Sequence, residues 1–126
     1  MKILIVDDIP QVVELIRQTI LSAGVARVPG DIRDARSVSQ ARWELLHHRP
    51  ELLVLDELLP GESSQDLLRD PALAGIPILL ISATASHARA APAAPGRMVL
   101  GRLPKWSWDE LDRAAGEIRR LLIRNP

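Results

Sequence analysis

Four short apolar runs along the chain each end on a polar residue. Residues 3–6 stop at Asp7 and Asp8, residues 52–55 at Asp56, and residues 78–81 at Ser82. Residues 98–100 lead through Leu103 to Lys105. Continuous branched aliphatic runs without polar alternation predict strands buried on both faces, the pattern of a parallel sheet. Ligands of such sheets bind outside the carboxyl ends of the strands. The pattern therefore predicts that three carboxylates, a hydroxyl and an ammonium group converge on one rim.

Helical signals fill the gaps between these runs. Pro10 suits a first helical position, Val12, Val13, Leu15, Ile16 and Ile20 repeat at helical spacing, and Gly24 offers a stop. Pro29-Gly30 marks a turn, and residues 31–35 form a candidate edge strand. Ser37 and Gln40 read as a capping box opening a second helix toward Arg49, which Pro50 ends. A third helix is expected over residues 64–69, closed by Asp70-Pro71. Residues 83–96 are alanine-rich but interrupted by Pro92 and Pro95, so the expectation is a shortened helix over 86–91 and a non-helical path over 91–97. Ser107 and Glu110 form a second capping box, followed by a buried stripe of Leu111, Ala114, Ala115, Ile118, Leu121 and Leu122. Strands alternating with helices imply right-handed βαβ units in an α/β, doubly wound parallel sheet of five strands, ordered 2-1-3-4-5. No repeat or internal boundary divides residues 1–126, which read as one domain.

Composition narrows the function. The formal net charge is zero, which argues against a dedicated nucleic-acid or anionic-membrane binder. No apolar run approaches the roughly 20 residues that span a bilayer. The chain enters a strand at once, with no secretory signal, so a cytoplasmic location is expected. Cysteine is absent, which excludes disulfides and thiolate metal sites. Phe and Tyr are also missing, leaving Trp43, Trp106 and Trp108, and fourteen arginines stand against only Lys2 and Lys105. His47-His48 near a helix end reads as dipole compensation. Arg119, Arg120 and Arg124 read as a solvated face.

Taken together, Asp7-Asp8, the Leu-Val-Leu-Asp56-x-x-Leu-Pro-Gly stretch, Ile-Ser82-Ala83 and Leu-Pro-Lys105 make the chain resemble a bacterial two-component response regulator receiver domain over its whole length. The resemblance implies a flavodoxin-like receiver fold and Asp56 as phosphoacceptor, modified by a sensor histidine kinase or phosphotransfer protein. Packing Asp7, Asp8 and Asp56 together is unfavourable without a cation, and Mg²⁺ prefers such oxygen donors. By the resemblance, Asp8, Asp56 and the Leu58 backbone carbonyl ligate Mg²⁺ directly, with Asp7 acting through water. Lys105 and Ser82 then serve the phosphoryl group, and Thr84, Arg102 and Trp106 are the switch and output positions. Glu57, beside Asp56, is expected to point to the opposite face. The domain relays its signal to an unidentified protein target and is not a turnover enzyme. A homodimer is compatible with the resemblance; direct contact with nucleic acid or membrane is not expected.

Several positions depart from the family pattern. Trp106 stands where proline usually follows the lysine, so a trans bond is expected there. Arg102 occupies the usual place of an aromatic switch, and Ser64 that of a glycine. These departures leave a second reading open, a pseudo-receiver acting as a phosphorylation-independent interaction module. An aspartyl-phosphate hydrolase is disfavoured because Leu58 stands where its second carboxylate belongs. A flavin site is disfavoured because Asp7-Asp8 would repel the phosphate.

Overall fold

The computed structural model describes residues 1–57, 64–82 and 96–124. Five parallel strands form one sheet: β1 (Ile3–Val6), β2 (Ile32–Ala35), β3 (Leu52–Asp56), β4 (Ile78–Ser82) and β5 (Val99–Pro104), in the order β2-β1-β3-β4-β5. The helices are α1 (Pro10–Ala23), α2 (Val38–His47), α3 (Ser64–Leu68) and α4 (Leu111–Arg124). Short 3₁₀ turns stand at Pro29–Asp31, Pro71–Leu73 and Trp108–Glu110. This is the α/β, doubly wound arrangement that the alternating pattern predicts. The expected short helix over 86–91, and the expected path over 91–95, lie outside the described residues.

The strand pleat sorts each apolar run between two cores. Ile3, Ile5, Val54, Leu79 and Ile81 pack with Val13, Ile16 and Ile20 of α1 and Ile118 of α4. Leu4, Val6, Leu53, Leu55, Ile78 and Leu80 pack on the other face with Ala41 and Leu45 of α2, Leu67 and Leu68 of α3, and Leu73. Every residue of β1, β3 and β4 is buried, because helices cover both faces of the sheet. The edge strand β2 is buried only at Ile32 and Ala35. A register shift separates the pairs Ile78–Val99 and Leu79–Gly101. At Gly101 an added Cβ would meet Leu121 of α4 at 3.1 Å, so glycine lets the last helix close on β5.

Helix ends follow the sequence signals with two differences. Gly24 takes φ 74° and its N–H bonds to the carbonyls of Ile20 and Leu21, stopping α1. The Ser37 hydroxyl accepts the Gln40 N–H at 3.1 Å, but the Gln40 side chain accepts from Arg36 N at 2.8 Å, one residue earlier than a capping box requires. The second difference is at Arg119, which is exposed as expected but does not project freely into solvent. Its guanidinium reaches α1 and donates to the carbonyls of Ala23 at 3.1 Å and Ser22 at 3.3 Å. Its neighbour Arg120 pairs instead with Glu117 at 3.0 Å.

Two other arginines act in the same way as Arg119. Arg97 donates to Leu68 O at 2.8 Å and Asp70 O at 3.0 Å, and Arg49 to Ala72 O at 3.0 Å and Ala74 O at 2.6 Å. Each fork satisfies carbonyls that a chain end or turn leaves open.

Trp106, just beyond β5, is 8 % exposed and packs in the α1/α4 core. Its indole N–H donates to Thr19 Oγ1 at 2.9 Å, and that hydroxyl donates to Leu15 O at 2.6 Å. Trp106→Ala should therefore destabilise the domain by about 3–5 kcal/mol, the range for deleting a buried large aromatic. Trp106→Phe should lose about 1 kcal/mol for the hydrogen bond, beyond its smaller packing loss. Urea unfolding of the two variants checks both values.

Candidate functional site at the carboxyl rim of the sheet

Ladder hydrogen bonds carry the residues beyond the strand ends to one rim. Asp7 N–H donates to Ala35 O at 3.0 Å, Glu57 N–H to Ile81 O at 3.0 Å, and Lys105 N–H to Ser82 O at 2.9 Å. Asp56 and Ser82 are the last residues of β3 and β4. The backbone beneath each functional side chain is thus fixed by a neighbouring strand.

Carboxylate oxygens of Asp7, Asp8 and Asp56 lie within 4.8 Å of one another. Asp7 and Asp56 are buried and Asp8 is half-buried. Lys105 Nζ stands 3.4 Å from Asp56 Oδ2. Asp7 Oδ1 accepts the Ile9 N–H at 2.9 Å, so one oxygen serves the turn into α1. Its other oxygen, Oδ2, is buried and has no hydrogen-bond partner among the described residues, and the same holds for Ser82 Oγ. Burial pushes the Asp7 carboxyl up to about 6 from an ordinary 3.8; the Asp56 charge adds to the rise, while the Ile9 N–H and Lys105 oppose it.

One ammonium group against three clustered carboxylates leaves a deficit of positive charge. Hard oxygen donors this close, one of them buried without a donor, fit a divalent cation of the Mg²⁺ type. Mg²⁺ needs only one or two carboxylates directly, so three candidates suffice. Leu58 and Thr84 lie outside the described residues.

Arg102 and Trp106 are engaged with other partners than this cluster. Arg102 Nε pairs with Glu57 Oε1 at 2.9 Å, both side chains largely buried, and Trp106 is held by Thr19. The Lys105–Trp106 peptide bond is trans. Two contributions escape a reading of the sequence. Glu57 anchors a buried ion pair, which only the register of β5 beside β4 reveals. Ser64, noted in the sequence only for replacing a glycine, is buried and donates its hydroxyl to the Asp56 backbone carbonyl at 2.6 Å. No pattern of spacing signals that bond.

A doubly wound sheet thus carries an acid cluster and a lysine on its carboxyl rim. No protein-family model and no curated protein sequence matches the chain. Solved structures do. A Chloroflexus aurantiacus J-10-fl protein assigned as a response regulator is 27% identical, with 98% of both chains covered and a TM-score of 0.70. The N-terminal domain of a response regulator receiver protein from Methanoculleus marisnigri JR1 is 23% identical, with 98% of both chains covered and a TM-score of 0.64. A signal receiver domain of a DNA-binding response regulator from Colwellia psychrerythraea 34H is 17% identical, over 95% of this chain and 98% of that one, with a TM-score of 0.67. In sheet order and in the acids and lysine at its rim, the chain is similar to these response regulator receiver domains. Among the described residues no helix is long and apolar enough to cross a membrane.

The Asp7 environment has a measurable consequence. Its folded-state value of about 6 exceeds the ordinary 3.8, so between these values the folded protein holds a proton that the unfolded chain has released. Stability of the metal-free domain should therefore fall as pH rises through this window, by about 3 kcal/mol, with no further loss from Asp7 above it. Asp7→Asn should abolish that fall and leave the domain more stable than wild type at neutral pH. Urea unfolding in a chelator across the window checks both outcomes.

Proposed function

We propose that this chain is a phosphoacceptor signalling domain. Asp56 receives a phosphoryl group from the phosphohistidine of a sensor histidine kinase or phosphotransfer protein, and the modified domain relays the signal through contacts with a protein target. The observation that carries this reading is the convergence of Asp7, Asp8 and Asp56 within 4.8 Å, with Lys105 Nζ 3.4 Å from Asp56 Oδ2. Its place is the cytoplasm, beside its kinase, and it is not a turnover enzyme.

Asp7, Asp8 and Asp56 are the side chains that would hold Mg²⁺. When bound, the ion supplies positive charge that offsets the carboxylates and the charge on the transferring phosphoryl oxygens. The remaining work falls to the chain itself. An Asp56 carboxylate oxygen attacks phosphorus, the P–N bond to the donor imidazole breaks, and the leaving imidazole takes up a proton. Lys105 brings a compact charge to a phosphoryl oxygen and limits repulsion of the incoming anion. The Ser82 hydroxyl, buried and without a partner among the described residues, donates to a phosphoryl oxygen once one arrives.

A second reading, an interaction module independent of phosphorylation, draws support from Arg102. Its guanidinium is 6 % exposed and paired with Glu57, so the position next to the site is occupied by a buried ion pair. One experiment separates the readings. Incubation with Mg²⁺ and acetyl phosphate should add one phosphoryl group to the intact mass, mapped to Asp56 and absent from Asp56→Asn. Lys105→Ala should slow the modification by about 10²-fold, the scale of one preorganised charge. No modification, together with a tryptophan emission unmoved by Mg²⁺ and beryllofluoride, would favour the second reading.

A further inference from the structure

We infer that Ser64 is a positioning residue for the acceptor, holding the end of β3 so that the Asp56 carboxylate meets Lys105 and the other acids. The inference rests on the phosphoacceptor reading. It starts from a single peptide unit, the one joining Asp56 to Glu57. Its N–H, belonging to Glu57, donates to Ile81 O at 3.0 Å in the last rung of the β3–β4 ladder. Its carbonyl, belonging to Asp56, accepts the Ser64 hydroxyl at 2.6 Å. The plane is therefore gripped from both sides, by β4 and by the first residue of α3.

That grip bears directly on chemistry. The orientation of this plane sets ψ of Asp56, and with the ladder fixing the other side of the residue, it sets the direction in which the carboxylate leaves the backbone. Ser64 is itself 4 % exposed, so water cannot readily replace its hydroxyl. Its burial also fixes where the donor stands, since a buried short side chain has few rotamers open to it. The partners that depend on this aim are close: Lys105 Nζ at 3.4 Å and acid oxygens within 4.8 Å. A misplacement of about 1 Å in such a constellation costs about 10²-fold in rate. Losing one of two grips on the plane is a smaller disturbance, and about tenfold is expected.

The test compares wild type with Ser64→Ala and Ser64→Gly at a temperature well below the unfolding midpoint of each. In the metal-free protein, hydrogen exchange of the Glu57 amide should quicken by about tenfold in both variants relative to other amides of the sheet, because its peptide plane is held on one side only. With saturating Mg²⁺ and acetyl phosphate, the first-order rate of Asp56 phosphorylation should fall by about tenfold in both. A purely structural role for Ser64 would lower the unfolding midpoint while leaving these two quantities at their wild-type values, and that outcome overturns the inference. Wild-type protein that takes up phosphate normally beside variants that do so equally fast overturns the inference alone. Wild-type protein that takes up none overturns the parent reading and this inference with it.

Discussion

Two buried carboxylates held against each other are the constraint that the rest of the site answers. Asp7 and Asp56 are both sealed from water, with Asp8 beside them, and like charges at this range oppose the fold that brings them together. Relief comes from three directions: the Ile9 N–H on one Asp7 oxygen, the Lys105 ammonium facing Asp56 and, below a pH of about 6 with no cation present, a proton held by Asp7. The sheet can impose such an arrangement because its three central strands are apolar on both faces. Moving Asp7 or Asp56 off the rim would mean shifting a whole strand, and a one-residue slip would exchange the two cores. The favourable burial of some thirty side chains thus sustains an unfavourable corner.

The periphery is held by directional bonds more than by area. Helix α3 has only five residues, too few to persist by its own backbone bonds. It is tied at its start by Ser64 to β3, and at its end by Arg97 to the carbonyls of Leu68 and Asp70. Arg49 secures the following turn, Arg119 the end of α1, and Arg33 joins β2 to α2 through a bidentate pair with Glu44 at 2.6 and 3.0 Å. That pair holds the Glu44 carboxyl below its ordinary range. Lysine could not take these places, since a single ammonium group lacks the planar fork. The arginine bias of the composition therefore has a structural use, whatever its origin.

Much of this was legible in the residues, for reasons that also mark the limits. The runs ending at Asp7, Asp56 and Ser82 are unbroken and aliphatic, so strand identity and rim placement follow from local pattern. Pro10 and Gly24 bracket α1 because proline and glycine carry their own backbone preferences. Contacts across the fold are another matter. The Glu57–Arg102 pair depends on how β5 aligns with β4, including a register shift, and the bonds of the exposed Arg119 were not legible because its acceptors lie on another helix. Ser64 was visible only as an odd residue at its position. A hydroxyl reaching a backbone carbonyl eight residues earlier leaves no period or motif.

The order of the strands has a consequence for synthesis. Asp7, Asp8 and Asp56 all belong to the first half of the chain, while Lys105 and the indole of Trp106, whose bond to Thr19 spans 87 residues, come from its last quarter. A polypeptide emerging from the ribosome therefore displays its negative pole well before the ammonium that tempers it and the tryptophan that locks the final strand to the first helix. The acid cluster can therefore gain its own ammonium partner, and the first helix its lock on the final strand, only when nearly the whole chain has been made.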